Sequence, residues 1–320
     1  MKRNTTSAGD RSFRYTTGAF ALGLVLLVVG IAIVLSTESA LSISKFGLSF
    51  WRTSVWDPVA GEFGAFPFIW GTLYSSTLAL LIAGPIAIGI AIFLSELCPD
   101  WLRTPLTFLT ELLAAIPSIV YGLWGIFVLV PLVRSLQLSL PEWMSNMPLF
   151  TGPPYGVSLL AASLVLSIMI IPYTSSVARE VLRAIPASQR EAAYALGSTR
   201  WEATKVALFA ARTGIFGAVM LGFGRALGET MAVTMVMGNR AEVSWSLFAP
   251  QYTMAAVIAN EFKEAVEDLH LHALVEIGLV LFVITLVVNT GSRLLIWRMT
   301  RERRQMPRVT ATVPPAESAA

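Results

Sequence analysis

The sequence is short of charge. Only 13% of its 320 residues are Asp, Glu, Lys or Arg, about half of the roughly 25% usual in a soluble domain, while 55% are hydrophobic and the mean hydropathy is +0.68. That deficit excludes an ordinary soluble chain and points to an integral membrane protein. Cys98 is the only cysteine, which excludes an intrachain disulfide. His270 and His272 are the only histidines, and no cluster of carboxylate or thiol ligands accompanies them, so a metal site is not expected. There is no Gly-x-x-x-x-Gly-Lys-Ser/Thr to hold ATP, and neither Gly-x-Ser-x-Gly nor His-Glu-x-x-His occurs. The chain therefore reads as non-catalytic. Its basic residues lie beside apolar runs, where orientation in a bilayer accounts for them and nucleic acid does not.

What the sequence does have is long apolar runs. Six are expected to cross the membrane, at about 17–35, 70–94, 106–133, 157–177, 214–237 and 274–297, each long enough for a hydrocarbon core of about 30 Å. The first has a basic front like a signal peptide. It is longer than the usual apolar region of one, and Leu35-Ser36-Thr37-Glu38 is a poor cleavage site, so it reads as an uncleaved span. The Gly84-Pro85 pair suggests a bend in the second span, and Pro117 lies inside the third. Between the first two spans, Trp51, Trp56, Phe63, Phe66 and Phe68 suit a segment lying along the membrane surface.

Lys and Arg set the orientation. With stretch 179–212 inside, seventeen of them fall on inner segments, counting Arg293 at the inner end of the sixth run, and five on outer ones, with Arg225 well inside a span. That asymmetry puts both termini in the cytoplasm. The expected organisation is an inner tail over 1–16, a six-helix all-α transmembrane domain over 17–298 and a disordered inner tail over 299–320.

Stretch 179–212 is too long and too patterned for a plain connector. Pro186 opens an element, and Ser188-Gln189-Arg190-Glu191 has the form of a capping box. A helix over 188–196 should close at Gly197, where a left-handed residue is needed. Thr199-Arg200-Trp201-Glu202 repeats the box and opens a second helix. Glu191 has two readings: it completes the first box, or it serves a docking partner.

Arg225 is the charge expected deepest in the bilayer, where one costs on the order of 2.5 to 3.5 kcal/mol unless it faces protein or water. Glu229 follows four residues on, so the two can pair on one helical face. The pair sits among Gly222, Gly224 and Gly228, which let a helix or a substrate come close. Two readings stand: an anion path, in which the arginine fork matches an oxyanion, or an ion pair between packed helices. Glu111 and Glu276 lie near span boundaries and could line the same path or serve the interface and packing.

These residues carry a resemblance. Glu191-Ala192-Ala193-x-x-x-Gly197 resembles the EAA loop of ABC importer membrane subunits. Gly224-Arg225-Ala226-Leu227-Gly228-Glu229-Thr230-Met231-Ala232-Val233 is more specific, together with Leu112-Leu113-Ala114-Ala115-Ile116-Pro117-Ser118-Ile119-Val120-Tyr121-Gly122 and Asn260-Glu261-Phe262. They resemble the permease subunits of bacterial phosphate-specific ABC importers, the C-type more than its companion, over about 17–298. The resemblance implies the type I ABC importer permease fold in the bacterial inner membrane. It also implies a second phosphate permease, two ATPase subunits that carry the ATP and Mg, and an extracytoplasmic phosphate-binding protein. Glu191, Ala192, Ala193 and Gly197 would couple to the ATPase, and Arg225 and Glu229 would serve phosphate passage. A permease for sulfate or molybdate, or a membrane protein without transport, are the alternatives. One departure stands out: the family loop usually ends in Leu-Pro, whereas this chain has Leu208-Phe209-Ala210, so the second loop helix should run straight into span five.

Overall fold

An apolar segment in lipid must satisfy its backbone hydrogen bonds within the protein, and a helix does so locally. The computed structural model describes the backbone of residues 8–304 and the side chains of 9–298. In chain order the helices are α1 (Ala8–Glu38), α2 (Ala40–Phe46), α3 (Phe66–Ile92), α4 (Asp100–Ala115), α5 (Ser118–Trp124), α6 (Val130–Leu138) and α7 (Glu142–Ser145). Then come α8 (Leu159–Arg183), α9 (Ala187–Ala195), α10 (Arg200–Leu227), α11 (Met231–Val236), α12 (Met254–Glu261) and α13 (Asp268–Arg304). A two-residue hairpin, β1 (Trp56–Asp57) with β2 (Glu62–Phe63), lies between α2 and α3. Wide helical turns at Phe93–Leu97 and Gly125–Leu129 extend α3 and join α5 to α6.

Among the described residues six helical runs are long and apolar enough to cross a membrane: Gly9–Glu38, Phe66–Leu97, Ser118–Leu138, Leu159–Arg183, Arg200–Leu227 and Asp268–Arg298. Two of the expected spans are corrected. The third is not one helix over 106–133, because Ile116 and Pro117 are extended, at ψ 130° and 139°, and divide α4 from α5. Proline disfavours the helical region for the residue before it. The fifth does not run over 214–237: it begins at Arg200, stops at Leu227 and resumes as α11 after Gly228, Glu229 and Thr230. As expected from the absent Leu-Pro, α10 passes unbroken from the loop into the span. Pro85 interrupts nothing, since α3 continues through it. At the ends, α1 already begins at Ala8 and α13 reaches Arg304; the rest of both expected tails lies outside the described residues.

The bundle is arranged around α8, the most deeply buried span. Ala79, Ala83, Ala87 and Ala91 recur every four residues on α3 and are fully buried, giving α8 a smooth strip on which to pack closely. Ser167 of α8 donates to the Ala79 carbonyl at 3.2 Å across this contact. On its other side α8 meets α10, where a Cβ at Gly222 would lie 2.2 Å from the Thr174 hydroxyl oxygen. Gly222→Ala is therefore expected to lower the thermal unfolding midpoint in detergent, at a cost of about 1–3 kcal/mol. Adding Thr174→Ala should recover most of that loss; an unchanged midpoint in the single variant would contradict the contact.

At the end of the bundle opposite α9, the segment after α1 is less interfacial than its aromatics suggest. Phe50, Phe63 and Phe68 are buried with Tyr252, Met254, Leu274 and Ile277, and each large apolar side chain so buried contributes about 1.5–3 kcal/mol. Trp56 stacks edge-on against Phe63 and Phe68. These rings form a small core of their own because β1 and β2 fold the segment back onto α12 and α13.

Candidate functional site

The two breaks in the spans come together. α11 packs on α5, with the Ala232 Cα close to Gly122, so the residues beyond one break sit against those beyond the other. Non-helical backbone at membrane depth is tolerated where protein buries it or water reaches it. Tyr121, just past the first break, donates to the Leu113 carbonyl at 2.8 Å and ties α5 back to the last turn of α4.

Arg225 lies in the last turn of α10, beside this junction. Its guanidinium is exposed in the isolated chain and sits 5.6 Å from the ring centroid of Tyr173 on α8, within cation–π range. The Tyr121 phenol is within its electrostatic reach. The expected pair with Glu229 does not form: among the described residues Arg225 has no ion-pair partner. The i, i+4 geometry requires a continuous helix, and α10 has already ended at Gly228. The Glu229 carboxylate instead accepts from the Ala232 amide at 3.3 Å, at the start of α11, where a negative charge is favoured. The arrangement leaves an unneutralised planar cation on an aromatic ring, a suitable receptor for an oxyanion.

Glu111 and Glu276 do not join Arg225. Arg179, expected in the loop, belongs to α8 and is only 4% exposed. Its Nη2 contacts Glu111 at 3.1 Å and Glu180 at 3.0 Å, so Glu111 fastens α4 to α8. Glu276 is 3% exposed and faces Ser42 where α13 packs on α2. α2 lies over that face of α13, so the carboxylate is buried between the two helices. His270 has a structural explanation as well: its Nε2 is 3.2 Å from Glu261, which also accepts from the Trp56 indole at 2.9 Å. Next to it Asn260 donates to the Tyr252 phenol at 2.9 Å, and burial pushes that phenol up to about 12, so it stays protonated at any physiological pH. Among the described residues no group of three His, Cys, Asp or Glu could hold a metal ion.

The loop site is built at the other end of α10. α9 begins straight after Pro186, so Ser188 is already helical and no side chain caps the helix. The first capping box is thus absent. Glu191 is exposed, with no hydrogen bond or ion pair among the described residues, which removes the capping reading of that residue. The second box is formed: the Glu202 amide donates to the Thr199 hydroxyl, and the Thr199 amide donates back to the Glu202 carboxylate at 2.8 Å. Gly197 takes φ +81°, and its amide donates to Tyr194 at 2.9 Å while that of Ser198 donates to Ala193 at 3.2 Å. These two bonds close α9 in a Schellman turn. Ala193 is buried, whereas Ala192, Tyr194 and Leu196 are exposed.

Sequence reasoning missed what holds α9 in place. Arg190 forks onto Glu96, in the turn that ends α3, with Nε and Nη2 at 3.0 and 2.6 Å from its two oxygens. The same guanidinium donates to the carbonyls of Ile185 and Leu182. Residues 94 positions apart make this pair, and no local pattern announces it.

The family model described as "Binding-protein-dependent transport system inner membrane component" matches residues 83–301. A phosphate transport system permease protein PstC from Pasteurella multocida is 51% identical over 296 residues, covering 91% of this chain and 92% of that protein. The PstC protein of Mesorhizobium japonicum is 47% identical, covering 91% and 90%. A probable PstC from Methanocaldococcus jannaschii is 42% identical over 255 residues, covering 78% and 81%. Among solved structures, a chain of the MetNI methionine ABC transporter in inward-facing conformations aligns with a TM-score of 0.55 at 16% identity, covering 73% of this chain and 94% of that one. At that identity the likeness speaks for the fold, that of an ABC importer permease.

Proposed function

The chain belongs to the binding-protein-dependent transport system inner membrane components, and on that footing we propose that it forms part of the path by which an ATP-driven importer carries inorganic phosphate into the cell. It is a multi-pass membrane subunit of a transport system, and such a subunit works with partners. The partners proposed are a second phosphate permease, two ATPase subunits and an extracytoplasmic phosphate-binding protein. ATP and Mg belong to the ATPase subunits, and this chain binds no cofactor. α9 faces the cytoplasm in this reading, as do both termini, because Lys and Arg concentrate on that side.

The observation that carries the proposal is the exposed guanidinium of Arg225 at the meeting of two broken spans, stacked on Tyr173 and without an ion-pair partner among the described residues. The PstC relatives, named for phosphate transport, support phosphate as the oxyanion. Glu229 positions α11 beside it. Glu191, Ala192, Ala193 and Gly197 present α9 to the ATPase, and closure of the ATPase pair moves α9 as a unit. The test is phosphate uptake by vesicles holding the complete complex, with binding protein outside and ATP inside. Uptake should require ATP and withstand a tenfold excess of sulfate or molybdate; competition by either ion at equal concentration would reassign the substrate.

A further inference from the structure

Between α10, α13 and α8 lies a crevice of about 640 Å³. Leu221 and Val177 stand in its wall, each four residues from a member of the Arg225 site, Arg225 itself on α10 and Tyr173 on α8. Residues four apart share a helical face, so the crevice continues from the guanidinium toward the α9 end of the bundle. A Cβ at Gly224 would lie 3.8 Å from the Asn289 amide oxygen, which places that amide against α10 at the residue preceding Arg225. On α13 the wall carries Asn289, Thr290 and, one turn further, Arg293.

Two features set this crevice apart from a lipid-filled seam. Asn289 and Thr290 are exposed inside a span, nine and eight residues from Arg298, hence about 12 to 14 Å of helix deep. Among the described residues the Asn289 amide has no hydrogen bond, and a polar group at that depth calls for water, protein or a ligand. Among the described residues the only charged one in the wall is Arg293, a cation.

We infer that this crevice is the inner half of the phosphate path, with Asn289 and Arg293 receiving the anion after Arg225 and releasing it at the α9 end. The inference rests on the proposed transport reading and extends it to α13. Arg225 binds, Asn289 donates an amide hydrogen to a phosphate oxygen in transit, and Arg293 draws the anion outward from the bilayer. Arg293 is exposed in the wall of the crevice, which favours release over tight binding.

The test uses the complete complex in vesicles with binding protein outside and ATP inside, and reads initial phosphate uptake and ATP hydrolysis together. Arg293→Gln should lower phosphate taken up per ATP about tenfold, the value of one charge-assisted contact, while Arg293→Lys keeps most of it. Arg298→Gln, which removes an equally basic residue bordering a different hollow with Leu294, Leu295 and Trp297, should leave the ratio unchanged. Equal losses from Arg293→Gln and Arg298→Gln would reduce Arg293 to an orienting charge and overturn the inference, as would a normal ratio in Arg293→Gln. A wild-type complex that falls to the Arg293→Gln level in purely zwitterionic lipid would assign the crevice to an anionic lipid headgroup, and so overturn it too. Absence of uptake in the wild type would instead sink the transport reading and this inference with it. If Arg225→Gln is inactive and Arg293→Gln is normal, the transport reading survives alone.

Discussion

Arg225→Gln is expected to bring ATP-driven phosphate uptake down by about a hundredfold, on the scale of 1.5–3 kcal/mol for a hydrogen bond to a charged group. The stability of the subunit should change little. Arg225 is exposed and makes one described contact, the stack on Tyr173, and an exposed cation–π contact contributes about 0.5–1 kcal/mol. Glutamine keeps the length and the polarity but loses the charge and the fork. Arg225→Lys keeps the charge alone and should recover part of the rate. Copurification with the ATPase subunits checks assembly, since the α9 surface is at the far end of α10. Full uptake by Arg225→Gln would remove the arginine from the path.

Gly197→Val is expected to abolish uptake by a different route. The Gly197 φ of +81° is costly for a residue with a Cβ, on the order of 1–2 kcal/mol. The two Schellman bonds that close α9 depend on that conformation. A helix of nine residues has little stability of its own, so loss of its cap frays the end that carries Tyr194 and Leu196. The opposite end stays fixed by the Arg190 fork on Glu96, and the membrane-embedded bundle is untouched. The variant should therefore reach the membrane in normal amount yet fail to copurify with the ATPase and fail to take up phosphate. Normal uptake would show that α9 does not need its closed end to couple.

How much of this was legible in the sequence depends on the range of the interaction. The six spans follow from apolar length alone, and Gly197 and the Thr199–Glu202 box were legible because a cap is a matter of adjacent residues. The same rule misread Ser188: Pro186 starts α9 early and turns the serine into an ordinary helical residue. The breaks were hidden because apolar character continues across them. Pro117 marks one break, yet Pro85 and Pro172 sit inside unbroken helices, so proline does not tell the cases apart. Gly228 marks the other, and reading it as a packing glycine led to the Arg225–Glu229 pair that the structure lacks. The pairs that hold α9 and α4 in place, Arg190 with Glu96 and Arg179 with Glu111, join distant parts of the chain and leave no local trace.

The resulting picture is of one helix with two ends. α10 runs about 37 Å, at 1.5 Å per residue, from Arg200 beside α9 to Arg225 beside the junction of the broken spans. Packing against α8 through Gly222 keeps it from sliding independently. A movement of α9 reaches α10 across the Gly197–Thr199 turn, and from Arg200 no further break intervenes before Arg225; the missing Leu-Pro is what keeps that helix continuous.

The most direct test is to read phosphate uptake and ATP hydrolysis in the same vesicles for the wild type, Arg225→Gln and Gly197→Val. The account predicts that Arg225→Gln hydrolyses ATP in response to the loaded binding protein but moves about a hundredfold less phosphate, whereas Gly197→Val does neither. Near-normal phosphate uptake by Arg225→Gln, or identical loss of both activities in the two variants, would contradict the proposed separation of substrate site and coupling loop at opposite ends of α10.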